Sequence, residues 1–163
     1  MVRKILLLII TLAFLGCAGN YVAKPPKTTK LVQHIDGSIF KATENGFYTT
    51  ELVLKKKKPV VGRNRGHMIV HNYEAVDTPG LSITAVLYMP ETGAVSKEPP
   101  VVKSKRKGLY SVENIYFDKP GKWELKMKIV GHSYSDTVVL QLPEVKEKSE
   151  SEPEESKPIF GFD

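Results

Sequence analysis

The chain has 163 residues, 24 Lys and Arg against 18 Asp and Glu for a formal charge of +6, and a single cysteine. One thiol excludes an internal disulfide and lacks the companions of a zinc site or a redox pair. The length suits one domain, large enough to bury a core without covalent staples.

The first elements in chain order address the protein rather than fold it. Arg3 and Lys4 precede an apolar run, Ile5 to Leu15 ("ILLLIITLAFL"), and then Gly16. A positive start, a short apolar core and a small residue form the pattern of a secretory signal peptide, expected here over residues 1–16. The run is shorter than the roughly 20 apolar residues that cross a bilayer. Cys17 follows directly, and "Leu15-Gly16-Cys17-Ala18" resembles the lipobox of bacterial lipoproteins. That resemblance implies a mature N-terminus at Cys17 carrying a thioether-linked diacylglyceryl group and an N-acyl chain. Two or more chains anchor stably where one binds marginally. The expectation is an exported protein held on a membrane by its lipid, facing the periplasm from the outer or inner membrane or lying on the cell surface. Ala18 lacks the aspartate associated with inner-membrane retention, which points to the outer membrane in a two-membrane cell.

Residues 17–45 are predicted to hold the lipidated cysteine and a flexible tether, polar and without periodicity ("KPPKTTK", Lys24 to Lys30). From 46 to 143 short runs rich in Val, Ile, Thr and aromatics alternate with Gly, Pro, Asn and Asp, the texture of strands and turns. Strands are predicted over residues 47–54, 67–75, 82–89, 109–117, 122–130 and 135–142, with a short one at 101–103. The clearest is "KWELKMKIV", where Trp123, Leu125, Met127 and Ile129 alternate with Lys122, Glu124, Lys126 and Lys128. "Thr78-Pro79-Gly80-Leu81" and "Lys119-Pro120-Gly121-Lys122" read as turns, with Pro presetting the second position and Gly taking a positive φ at the third. No segment carries a helical period. The expected fold is therefore all-β, an immunoglobulin-like antiparallel β-sandwich of about seven strands with Trp123 in its core.

Residues 144–163 open with "EVKEKSESEPEESK", charged and poor in apolar side chains, and are expected to be disordered. They close on "PIFGFD", an apolar tip with Ile159, Phe160 and Phe162, suited to docking or to pairing with a sheet edge, or a terminus of no consequence.

Charge is unevenly placed. Residues 17–143 hold 19 Lys and Arg against 11 Asp and Glu, whereas 144–163 hold 3 Lys against 7 acids. For an exported chain no nucleic-acid partner is expected. Anionic headgroups, cell-wall polymers or an acidic envelope protein suit the basic body, unless its lysines serve solubility and the blunting of sheet edges. The basic clusters are Lys55, Lys56, Lys57 and Lys58, and then Lys103, Lys105, Arg106 and Lys107. Both fall in connections, and they form one patch only if those connections share an end of the sandwich.

Catalytic motifs are missing: no G-x-S-x-G, no H-E-x-x-H and no Gly-rich phosphate loop, so no enzyme is expected. For a metal, the residue types suited to copper are His67, Met68, His71, Met89, Met127 and His132. His67 and His71 would be about 13 Å apart along a strand at 3.3 Å per residue, too far to share an ion without a bulge. Met127 lies on the core face with Trp123. Met89 closes a strand, and His132 in the "VGHSYSD" turn is the residue expected to approach it.

Several features in order resemble the YtkA-like domain family across roughly residues 46–143. They are Gly62 and Asn64, Asp77 with Gly80, Met89-Pro90, Gly108 and Tyr110, then Gly121, Trp123 and Leu125. The resemblance implies an extracytoplasmic immunoglobulin-like sandwich, with relatives linked to copper handling and cytochrome oxidase assembly. After Met-Pro this chain continues Glu91-Thr92-Gly93-Ala94-Val95, where family members often carry further Met and His. The expected function is a lipid-anchored binding or adaptor module in the cell envelope, with no cofactor. The alternative is a copper-binding or metal-delivery lipoprotein related to respiratory-oxidase assembly, using Met89, His132, His67 and His71.

Overall fold

A computed structural model describes residues 24–148. The signal segment, Cys17 and the apolar tip at 158–163 lie outside those residues. Among the described residues nine strands are formed: β1 (Ile39–Ala42), β2 (Tyr48–Leu54), β3 (Gly62–Asn72), β4 (Ser82–Met89), β5 (Ala94–Val95), β6 (Val101–Ser104), β7 (Leu109–Phe117), β8 (Glu124–Val130) and β9 (Ser135–Gln141). They make two antiparallel sheets, ordered β1-β2-β3-β7-β6 and β5-β4-β8-β9. No helix occurs among the described residues, and none is therefore long and apolar enough to cross a membrane. The expected all-β antiparallel sandwich is the fold.

Alternation builds the core. In β8, Leu125, Met127 and Ile129 are fully buried while Lys126, Lys128 and Val130 face water. Leu52, Met68, Val70, Tyr110, Val112 and Phe117 come from the facing sheet. Trp123 sits just ahead of β8, packs edge-on to Phe117 at 5.7 Å and donates its indole N–H to the Lys119 carbonyl at 3.0 Å. The 78–81 turn is fixed from both sides. Gly80 takes φ 74°, and the Tyr110 hydroxyl donates to the Thr78 carbonyl (2.8 Å) and accepts the Leu81 N–H (3.0 Å).

Both boundaries of the domain move outward from 46 and 143. Residues 39–42, placed in the tether by their polar surroundings, pair with β2, Ile39 opposite Leu52 and Ala42 opposite Thr49. At the other end Val145 is buried, pairs with Gly121, and is followed by a Val60–Lys146 bridge. β3 also begins five residues before its predicted start, because a register shift between Asn64 and Gly66 interrupts the apolar period there.

Register defines two ends. At the upper end β2, β4, β7 and β9 begin and β3 and β8 finish; there Asn45 and Phe47 reach Asp136, and Leu81 reaches Tyr110. At the lower end β3 and β8 begin and residues 145–146 are held against Gly121 and Val60.

Candidate functional site

Residues of β2 and β3 with odd numbers point away from the core, onto the outer face of the five-stranded sheet. Such a face ordinarily meets water, yet Thr49, Glu51 and His71 are fully buried there. The segment ahead of β1 covers them. It enters at the upper end, where the Lys30 N–H donates to the Tyr73 carbonyl (2.9 Å) and the Thr29 hydroxyl to the Gly46 carbonyl (2.7 Å). It descends to Glu51, turns at 35–38, and returns as β1.

Glu51 holds the turn of that segment. A buried carboxylate is costly unless its oxygens are hydrogen-bonded. Here Oε1 accepts the Ile35 N–H, the Ser38 hydroxyl (2.9 Å) and the His34 N–H (3.1 Å), which is shared with Oε2 (3.0 Å). The Nδ1 of His34, on a half-exposed side chain, lies 3.5 Å from Oε2.

His71 stands opposite Thr49 in the ladder and is bridged on its other side to Asp77. Its Nδ1 is 2.9 Å from an Asp77 oxygen, close as an ion-pair contact but off the direction of an aligned hydrogen bond; Nε2 has no hydrogen-bond partner. The rings of His71 and His34 lie 4.8 Å apart, tilted by 35°. Burial pushes the His71 pKa below the ordinary histidine value, against the opposing pull of Asp77, so the imidazole is neutral at neutral pH. His34, Glu51 and His71 each offer one donor atom, and these atoms lie within 4.8 Å of one another.

The sequence-derived candidates fare unequally. His71 belongs to this cluster. His67 lies on the same outer face but is exposed, four residues along the strand, opposite Val53 and Ser111. The expected approach of His132 to Met89 does not occur. Met89 is buried at the lower end, where its sulfur accepts the Thr92 hydroxyl; His132 is exposed in the β8–β9 turn at the upper end. The β4–β8 register, Ser82 opposite Val130 and Tyr88 opposite Glu124, sets these places apart by the length of the strand, about 20 Å at 3.3 Å per residue.

The basic clusters also separate. Lys55–Lys58 leave β2 at the lower end, and the Lys105–Lys107 turn leads into β7 at the upper end. Lys103 stays within β6, opposite Ser111. They do not form one patch, because β2 and β6 run off the sheet in opposite directions and are separated by β3 and β7.

His34 and Glu51 were not among the candidates. Glu51 carries a signal, an acid inside the strand-like "FYTTELVL" on a face later found covered. His34 carries none, since nothing in its segment announces that it folds over a sheet. A separate cleft of about 320 Å³ opens at the upper end between Lys24, Lys27, Phe47, Tyr73 and Tyr134, with the Phe47 and Tyr134 rings stacked at 4.5 Å.

Among solved structures, the fold is similar to that of a DUF4426 family protein from Pseudomonas aeruginosa, with a TM-score of 0.51 and 9% sequence identity over 71% of this chain and 100% of that one. The likeness is one of fold alone. No protein-family model and no curated protein matches the chain.

Proposed function

We propose that the chain is a lipid-anchored, extracytoplasmic β-sandwich that works as an adaptor in the cell envelope, holding one end toward the bilayer and offering the other to a partner. One observation carries this reading: the N-terminal segment leaves the domain at the upper end and the C-terminal segment at the lower end. Six residues separate Lys24 from Cys17, seven Cα-to-Cα steps that span at most about 25 Å. A lipid on Cys17 therefore keeps Lys24, Lys27 and the Lys105–Lys107 turn near the headgroups, where basic side chains are favoured. Lys55–Lys58 then point away from the membrane, beside Val145 and Lys146 at the start of the acidic segment. An envelope protein is the partner that this far end suits. The ordered Gly62, Asn64, Asp77, Gly80, Tyr110 and Trp123 support placing the domain with YtkA-like sandwiches.

The copper alternative, drawn from the YtkA-like resemblance with Met89, His132, His67 and His71, is less favoured because Met89 and His132 lie at opposite ends of the sandwich. Cys17→Ser in the full chain tests the anchor. The expected outcome is loss of incorporated fatty acid and release from the membrane fraction; unchanged fatty-acid labelling would overturn the reading. Replacing Lys55–Lys58 with serine, or removing 158–163, is expected to abolish crosslinks to a specific envelope protein while leaving membrane attachment intact.

A further inference from the structure

We propose that His34, Glu51 and His71 bind one divalent metal ion of the zinc class, with Asp77 orienting His71 from behind. The site is independent of the anchor and of the adaptor reading.

Four observations converge on it. First, the donor set is two imidazoles and a carboxylate, with no sulfur, which suits Zn²⁺ and not Cu⁺. Three protein ligands and an open fourth position describe a zinc site that stays accessible, and the half-exposed His34 places that opening toward solvent. Second, the Nε2 of His71 is buried with no partner of its own. A buried polar atom is normally paired, and a ligand bond is one way to pair it. Third, Asp77 lies 2.9 Å from the other ring nitrogen. A carboxylate on one nitrogen of a metal-ligating histidine is the usual arrangement, fixing the tautomer so that the opposite nitrogen presents its lone pair. Asp77 is half exposed, so its side chain is not locked by packing. Fourth, the two Glu51 oxygens are unequally used. Oε1 takes three donors, while Oε2 takes only the shared His34 N–H and faces the His34 ring. A carboxylate oxygen has about two acceptor directions, so Oε2 retains capacity for an ion.

The distances require a modest closure. Ligand atoms about 2.0–2.1 Å from a tetrahedral zinc stand roughly 3.4 Å from one another. The cluster's donors lie within 4.8 Å, so no pair need draw in by more than about 1.4 Å, and His34 Nδ1 and Glu51 Oε2 already stand 3.5 Å apart. Rotation of the half-exposed His34 side chain is the least constrained movement available. Binding would then join the covering segment to the sheet through a metal as well as through the Glu51 hydrogen bonds.

The test is a Zn²⁺ titration of the full chain in detergent, with Cys17→Ser so that no thiol competes, against a chromophoric chelator. One equivalent per chain is expected, with the melting temperature rising on saturation. His34→Ala should weaken binding at least tenfold and remove the melting shift, and Asp77→Asn should weaken it ten- to hundredfold. His67→Ala and His132→Ala should change neither. His71→Ala removes a fully buried side chain and risks misfolding, so the decision rests on His34→Ala, whose site is half exposed. The absence of one-to-one binding, or binding undiminished in folded His34→Ala, would overturn the proposal and leave the cluster as a packing contact around Glu51.

Discussion

Asp136 shows how one side chain joins the two sheets. It is buried at the start of β9 and accepts the backbone N–H of Asn45 (3.1 Å to each oxygen), the Asn45 side-chain amide (3.0 Å), the Phe47 N–H (3.2 Å) and the Thr137 N–H (2.8 Å). Burial alone would raise its pKa, but hydrogen bonds from the Thr43 hydroxyl and from the Thr137, Asn45 and Phe47 amides outweigh it and hold the carboxyl below its ordinary value. With the folded pKa depressed, the unfolded chain takes up the proton first on acidification. Its stabilisation is complete above the ordinary value near 3.8 and is lost as pH falls through the folded pKa. Asp136→Asn replaces an acceptor with a donor facing backbone N–H groups, and is expected to cost about 1–3 kcal/mol at pH 7. Urea titrations should show that gap at pH 7 and a smaller one below pH 3.5. An equal gap at both would mean that the carboxylate's charge is not what matters.

At the scale of elements, two devices hold segments in place, and they differ in how visible they are in the sequence. The turn at 78–81 is announced by Pro79 and Gly80, and the strand it opens, Ser82–Met89, has its predicted bounds because its alternation is uninterrupted. What the sequence does not display is the Tyr110 hydroxyl clasping that turn from 29 and 32 residues away. Tyr110→Phe leaves the buried Leu81 N–H unpaired and should lower stability by about 1–3 kcal/mol, measured by denaturant unfolding, without altering the Zn²⁺ titration. The covering segment is the harder case. Its residues have neither period nor apolar density, and its order depends on Glu51, which lies 16–17 residues further on. The His34–Glu51–His71 cluster comes together only because β2 and β3 are in a register that sets Thr49 against His71, which no local pattern reveals. β3 hid its own start for a related reason. Asn64 points inward and donates to the Val60 and Gly62 carbonyls, a polar residue at a core position beside an irregularity. Glu51→Gln keeps the shape and removes the charge that several donors share. Charge-assisted hydrogen bonds contribute about 1.5–3 kcal/mol, so the His34 and Ile35 amides should exchange with solvent at least tenfold faster. The β8 amides should be unchanged, because this opening is local.

For the whole molecule, the described chain starts at the upper end and finishes at the lower end, so the proposed anchor at Cys17 would give the sandwich an orientation. The Lys30 N–H is already held by the Tyr73 carbonyl, so an anchor at Cys17, as proposed, would act on the domain through at most a dozen intervening residues. The lone cysteine makes this measurable. Once Cys17 carries a thioether its sulfur no longer reacts, and an introduced cysteine is the only thiol in the chain. Lys57→Cys at the lower end and Lys105→Cys at the upper end are both exposed in the free domain. In vesicles containing anionic lipid, the lipidated Lys57→Cys protein should react with a water-soluble thiol reagent at its free-solution rate, and the Lys105→Cys protein should be slowed several-fold. Raising the salt shortens the Debye length from about 8 Å at 0.15 M to about 3 Å at 1 M. If charge helps hold the upper end down, salt should relieve part of the protection at residue 105. Short tether length alone would leave the protection unchanged. Equal rates at the two positions at low salt would mean that the domain turns freely on its lipid, and the two ends would then have no fixed relation to the membrane.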